Sequence, residues 1–254
     1  IFLEFKNQLK GKRILAIWRA GKNVIFDLSG GMSLLIHQKM TGHLLYGQWK
    51  MKDGKWISQE TGALRDDPAN RFLHLIFWLD NGYQIALSDL RKFAKVELWP
   101  TFDLKNSKII KELGPDALEQ SLSFEKFKEI LKKKRGKIKS TLMDQAVIAG
   151  IANIYSDEIL FAAGINTFKK ANQLQEAELA KMYAAMREIL KKAVECRGTS
   201  FSDYRTPNGE KGYFGELRKV YQKEGKSCEK CGSIIERVKM GGRSVHFCPN
   251  CQKL

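Results

Sequence analysis

The sequence predicts an α+β protein of two domains: an antiparallel β-sandwich or barrel, then a helical domain that ends in a zinc-bound β-hairpin. Three observations predict it. Short apolar runs punctuated by glycine occupy residues 1–113, apolar residues at helical spacing occupy the middle, and four cysteines in two Cys-x-x-Cys pairs stand near the end.

The β-rich part begins with Ile14 to Trp18, Asn23 to Leu28 and Ser33 to His37, separated by Gly21, Gly30 and Gly31. Two further runs, Phe72 to Leu79 and Tyr83 to Leu87, flank Asp80-Asn81-Gly82. Asn-Gly accepts positive φ at little cost, so this link predicts a hairpin. Strands at such short spacing predict a sandwich or barrel. The polar stretch 47–70 reads as a long excursion between them.

Gly114-Pro115-Asp116 breaks the chain. After it, Phe124, Phe127, Ile130 and Leu131 share one helix face, with Ser123 placed to cap that helix. Leu142 to Ala149 and Ile154 to Ala163 read as two more helical segments, joined through Gly150. The second starts near Asn153. Free N–H groups at a helix start and an Asn amide suit a phosphate, and they equally suit an Asn that caps its own helix. Leu174 to Val194 reads as a long amphipathic helix. Residues 198–215, with Gly198, Pro207, Gly209, Gly212 and Gly215, read as a mobile loop.

Cys228-x2-Cys231-x16-Cys248-x2-Cys251 supplies two knuckles of two thiolates, which is the template for one tetrahedral zinc. Two disulfides or four unrelated thiols are the alternatives. Four protein ligands leave no open coordination position, so the zinc is expected to be structural. The fifth cysteine, Cys196, is expected to be a half-buried or buried free thiol. Between the knuckles, two alternating runs flank Met240-Gly241-Gly242-Arg243, a β-hairpin with Arg243 at its tip. Such an arginine suits a DNA groove or a phosphate, or it is simply solvated.

Lys and Arg number 44 against 28 Asp and Glu, a net charge of +16. The basic excess is spread: residues 1–113 carry 18 basic and 11 acidic side chains, and residues 114–254 carry 26 and 17. A basic tail would concentrate it. A polyanion touching both halves is the simplest partner. No stretch approaches the roughly 18 apolar residues of a spanning helix, and no signal peptide opens the chain, so nucleic acid is expected rather than membrane.

Residues 142–158, Leu-Met-Asp-Gln-Ala-Val-Ile-Ala-Gly-Ile-Ala-Asn-Ile-Tyr-Ser-Asp-Glu, resemble the helix–two-turn–helix motif of the formamidopyrimidine-DNA glycosylase and endonuclease VIII family. Gly21-Lys22, His37-Gln38-Lys39-Met40-Thr41-Gly42, Asp89-Leu90-Arg91-Lys92-Phe93 and the ribbon Gly242 to Cys251 are similar to further motifs of that family, in family order. Phe247-Cys248-Pro249 and the glycine-rich 198–215 loop resemble its formamidopyrimidine/8-oxoguanine branch. The resemblance implies three parts: a β-sandwich catalytic domain over 1–113, a helix–two-turn–helix domain over 114–222 with loop 198–215 covering the lesion, and a zinc-finger hairpin over 223–254.

By the same resemblance, Met40, Arg91 and Phe93 fill the hole left by an everted nucleotide. An apolar wedge offsets an unstacking cost of a few kcal/mol. Core packing for Met40 and Phe93, and a surface ion pair for Arg91, are the plain alternatives. The resemblance gives Lys22, Asn153 and Arg243 to phosphates, and Lys22 and Arg243 also to proton donation during β- and δ-elimination. His37, His74, Arg91, Lys134 and Tyr221 become further DNA contacts, although Lys134 lies in Lys132-Lys133-Lys134-Arg135, which reads equally as a solvated helix end. The implied protein is a bifunctional DNA glycosylase and abasic-site lyase that removes oxidised purines in base excision repair. It is expected to hold one structural zinc and to act as a monomer in a bacterial, nucleoid-associated cytoplasm, with a cationic cleft between two lobes taking the duplex.

The family's chemistry uses the amine of an N-terminal proline, whose pKa of roughly 8 leaves a nucleophilic fraction at neutral pH, with a neighbouring glutamate. This chain opens Ile1-Phe2-Leu3-Glu4. Ile1 matches a point inside the family's pattern, so the expectation is a fragment without that pattern's opening and first helix. A non-catalytic damaged-DNA-binding protein of the same fold is the alternative. A zinc-ribbon RNA-binding protein accounts for the charge and cysteines but not for the wedge.

Overall fold

The computed structural model describes residues 2–200 and 205–253. Its contacts divide the chain into two units, 1–111 with 196–215, and 112–195 with 216–254.

The first unit starts with a helix that the sequence reading left out, α1 (Phe2–Leu9). Its Phe5 and Leu9, one turn apart, pack on the core. The strands follow: β1 (Ile14–Ala20), β2 (Asn23–Leu28), β3 (Met32–His37), β4 (Gly42–Gly47), β5 (Trp49–Lys52), β6 (Lys55–Ser58), β7 (Leu73–Trp78), β8 (Gln84–Asp89) and β9 (Lys95–Pro100). One antiparallel sheet has the order β1-β2-β3-β9 and a second the order β4-β8-β7. Phe26, Leu28, Leu34 and Ile36 of the first sheet share a core with Leu87, Leu44, Leu75 and Phe77 of the second, which makes the pair a sandwich. The intervening Ile25 and Leu35 point the other way, onto Leu104 of α2 (Thr101–Asn106), which α3 (Lys108–Lys111) follows. That two-sided burial explains why β2 and β3 read as continuous apolar runs.

The 47–70 excursion is more structured than its polarity suggested. It contains the β5–β6 hairpin, held by buried Trp49, whose Nε1 donates to Asn70 Oδ1 at 2.8 Å. The 198–215 loop, assigned from sequence to the helical domain, packs with the first unit instead. Arg205 Nε pairs with Asp67 Oδ2 at 2.6 Å, Tyr46 N donates to Pro207 O at 2.7 Å, and Gly209 sits against Leu64 where a Cβ would come within 2.9 Å of its backbone. Residues 201–204 of this loop lie outside the described residues. Cys196, just before it, is half-buried as expected.

The second unit contains α4 (Phe124–Lys132), α5 (Ile138–Met143), α6 (Asn153–Ala163), α7 (Glu176–Glu195), and the hairpin β10 (Glu236–Met240) and β11 (Arg243–Phe247). Ser123 Oγ accepts from Lys126 N, so it caps α4 as predicted. Phe127, Leu131, Leu142, Ile148, Ile159, Leu160, Met182 and Met186 form one core. The predicted helix from Leu142 to Ala149 is corrected. The helix is α5, and it ends at Met143 because Asp144 turns extended and its Oδ1 accepts from Ala146 N. Turns then run to Ala152, and Gly150 at φ +100° makes a bend that residues with a Cβ rarely adopt. Gly114 lies against this turn, where a Cβ would come 2.4 Å from Val147 O.

Candidate nucleic-acid interface

In the first unit, Asp89 organises the loop after β8. Thr41 Oγ1 donates to its Oδ1 at 2.5 Å, Arg91 N at 3.2 Å, and Ala94 N donates to Oδ2 at 2.7 Å. Burial pushes this carboxyl up, but the Thr41 hydroxyl and the N–H groups of Ala94, Arg91 and Phe93 outweigh it and leave its pKa below the ordinary value. The bonds turn the loop outward. Met40 is 72% exposed and Phe93 53%, Arg91 Nη1 lies 3.4 Å from Met40 Sδ, and its Cζ lies 4.7 Å from the Phe93 ring centre. Neither apolar side chain belongs to the core, and Arg91 makes no ion pair among the described residues. The three predicted wedge residues therefore form one exposed cluster of two apolar groups bridged by a guanidinium.

Other predicted residues lie elsewhere in the same unit. His74 Nε2 meets Asp89 O at 2.9 Å. His37, at the end of β3, accepts from Lys39 N at Nδ1, 2.9 Å away. Burial and the charges of Lys39, Lys22 and Lys95 lower its pKa, so the ring is neutral at pH 7. Lys22 is exposed in the turn between β1 and β2, beside Gly21 at φ +55°.

In the second unit, the turn before α6 is stapled by one side chain. Gln145 Nε2 donates to Met143 O and Ile151 O at 2.9 and 3.0 Å, and its Oε1 accepts from Gly150 N at 3.0 Å. Asn153 then opens α6 without capping it, since Ala152 is the cap residue and no side chain bonds there. The Asn153 Oδ1 is buried without a hydrogen-bond partner among the described residues. Arg243 leaves the hairpin turn of Gly241 and Gly242, both at positive φ, exposed and with Nη1 3.7 Å from Met143 Sδ. Tyr221 packs edge-on against His246 with ring centres 4.7 Å apart. Lys134, half-buried, follows α4, and its carbonyl accepts from Asn172 N. The nearby exposed Lys133 is a helix-end ion pair with Glu129 at 2.6 Å.

The sulfurs of Cys228, Cys231, Cys248 and Cys251 lie within 4.8 Å of one another. Four thiolates about 2.3 Å from a tetrahedral zinc stand about 3.8 Å apart. Here Cys228 and Cys251 are 3.8 Å apart and Cys231 and Cys248 3.4 Å, so the set fits a single structural zinc. Gly232 at φ +75° follows the first knuckle. The zinc closes β10–β11, and Val220, Ile235 and Phe161 pack beside the cysteines.

A β-sandwich, two helices around a double turn and a four-cysteine ribbon define the class, a helix–two-turn–helix protein with a zinc finger. The model of the formamidopyrimidine-DNA glycosylase N-terminal domain matches residues 2–96, that of the H2TH domain of the same enzyme residues 113–205, and a zinc finger found in FPG and IleRS residues 225–254. A formamidopyrimidine-DNA glycosylase of Pelotomaculum thermopropionicum is 40% identical over 251 residues, 99% of this chain and 85% of the relative. Lactococcus lactis Fpg in complex with abasic-site DNA is 33% identical with a TM-score of 0.84, over 100% of this chain and 87% of that one. The same organism's Fpg with DNA containing Fapy-dG is 32% identical with a TM-score of 0.83, over 100% and 87%. The chain belongs to the formamidopyrimidine-DNA glycosylase family. Among the described residues, no helix is long and apolar enough to cross a membrane.

Sequence reading missed Asp89 as an organiser in the first unit, and Gln145, Lys139, Asp157 and Glu158 as organisers in the second. Their types are common, and their work is hydrogen bonding to backbone distant in sequence. Asp157 and Glu158 carried one legible signal, two adjacent carboxylates on an otherwise uncharged helix.

Proposed function

We propose that this protein is a DNA glycosylase that takes damaged bases, oxidised purines above all, out of duplex DNA, and an abasic-site lyase. The observation that carries the reading is the exposed Met40–Arg91–Phe93 cluster in a chain of this family. An exposed apolar pair costs solubility in a free protein and repays it only against an apolar surface such as a base-pair stack. Arg91 between them has the donors to face an orphan base.

Lys22, His37, His74 and Arg91 on the first unit, and Lys134, Asn153, Tyr221 and Arg243 on the second, contact the duplex, chiefly at phosphates. The Nδ2 donor of the Asn153 amide and the N–H groups at the head of α6 suit one phosphate oxygen. Lys22 and Arg243 supply protons during elimination. The zinc takes no part in that chemistry; it holds the hairpin that carries Arg243. The base-releasing nucleophile by family resemblance is an N-terminal proline amine, and the 254 residues do not include it. Loop 198–215 is placed over the everted base in this reading.

The test is affinity for three duplexes, one with 8-oxoguanine, one with an abasic-site analogue and one undamaged, measured across salt concentrations, with borohydride trapping on the first. Preference for the damaged duplexes and a steep fall with salt support the reading. Equal affinity for all three overturns it. Preference without a trapped adduct, in the product of the complete gene, leaves the non-catalytic binder instead.

A further inference from the structure

We propose that Asp157 and Glu158, consecutive on α6, are positioning residues that set Arg243 and Tyr221 at fixed places relative to Asn153 on the same helix. The inference rests on the reading of those three as DNA-gripping groups.

Asp157 is fully buried. Its Oδ2 accepts from the backbone N–H of His246 at 3.0 Å and lies 3.3 Å from His246 Nδ1. Its Oδ1 pairs with Nζ of Lys139, also fully buried, at 2.7 Å. Lys139 Nζ in turn donates to Ser244 O at 2.7 Å. A donor from α5 and an acceptor from α6 thus satisfy two backbone groups of β11, one of them on the residue after Arg243. The hairpin is otherwise two-stranded, so these side chains fill the place of a third strand.

Glu158 does the same for a different segment. Its Oε2 accepts from Lys219 N at 2.8 Å, and its Oε1 accepts from Val220 N at 3.0 Å and Tyr221 N at 2.8 Å. One carboxylate thereby fixes three successive peptide planes that end at Tyr221.

A buried ion pair is a poor way to gain stability, because apolar residues of the same volume usually do as well. Hydrogen bonds to named backbone atoms give direction instead. Asn153 lies four residues before Asp157, one turn along the same face, and five before Glu158. One rigid helix therefore carries the phosphate-facing amide and both anchors, and zinc fixes only the far end of the hairpin.

The experiment is a set of double-mutant cycles on the zinc-bound chain, read as affinity for a duplex with an abasic-site analogue at several salt concentrations. Arg243→Ala is expected to reduce the slope of log affinity against log salt by about 0.9, the share of one phosphate. Asp157→Asn is expected to reduce it equally, and the Asp157→Asn/Arg243→Ala pair to bind within about twofold of either single variant. Glu158→Gln is expected to couple in this way to Tyr221→Phe and to add independently to Arg243→Ala. A defect of general folding has no such partner specificity. Zinc content and melting are measured in parallel; should Asp157→Asn lose zinc, Lys139→Gln, which keeps a donor for Ser244 O, is read in its place. Additive Asp157→Asn and Arg243→Ala effects with a wild-type slope for Asp157→Asn overturn the positioning role alone. An unchanged slope for Arg243→Ala removes the grip reading and this proposal together.

Discussion

Truncating Met40 separates a wedge from a core residue, because the two roles put its energy in different places. In the free protein Met40 is 72% exposed, so Met40→Ala removes little buried surface. The expected loss of folding stability is below about 1 kcal/mol, against about 2–5 kcal/mol for a buried Leu or Met. On lesion DNA the side chain leaves water for the hole in the stack, and full burial of such a side chain is worth about 1.5–3 kcal/mol. At 1.4 kcal/mol per decade, affinity for abasic-site DNA is expected to drop about 10- to 100-fold. Affinity for undamaged duplex, which offers no hole, is expected to stay within about twofold, since the phosphate contacts are untouched. Anisotropy titrations on the two duplexes and a thermal melt read all three quantities. Leu142→Ala, at a fully buried site, is the control and is expected to cost stability directly. Equal losses on both duplexes, or a destabilisation of Met40→Ala like that of Leu142→Ala, refute the wedge.

Zinc removal or Cys228→Ser is expected to disorder the β10–β11 hairpin and abolish DNA binding. All five tryptophans lie in the first unit, so intrinsic tryptophan fluorescence is expected to stay unchanged while far-UV signal and affinity fall; affinity retained without zinc contradicts the role of Arg243. The Asp89 carboxyl titrates below its ordinary value, so its contribution is complete above the unfolded-state pKa of about 3.9 and is lost as pH falls through the folded-state value. The acid limb of melting temperature against pH is expected to be steeper in the wild type than in Asp89→Asn, with no difference in slope between pH 5 and 7. Gly114→Ala drives a Cβ to 2.4 Å from Val147 O, and a clash with backbone is expected to cost about 1–3 kcal/mol in a urea melt and to weaken DNA binding through the turn before Asn153.

The sequence by itself determined the parts whose signal is local. Cys-x-x-Cys spacing placed four sulfurs around one zinc, glycine punctuation and apolar runs placed β1 to β3, β7 and β8, and helical spacing placed α4, α6 and α7. Ordered motifs pointed to the family. Elements set by contacts distant along the chain escaped. α1 is a helix of eight residues that gains stability only by packing Phe5 and Leu9 on the sandwich, and α5 stops at Met143 because the Asp144 side chain bonds its own backbone. Loop 198–215 follows the helical domain in sequence yet packs with the first unit, through Asp67, Leu64 and Tyr46. Only the tertiary structure decided that Met40, Arg91 and Phe93 form one exposed cluster, since residues 40 and 91 meet through the β4–β8 pairing and the Asp89 carboxylate. It alone decided that Asp157 and Glu158 serve two other segments. A carboxylate's type is visible in sequence, but the backbone N–H that it accepts from is fixed by packing, and packing joins residues that the chain order keeps far apart.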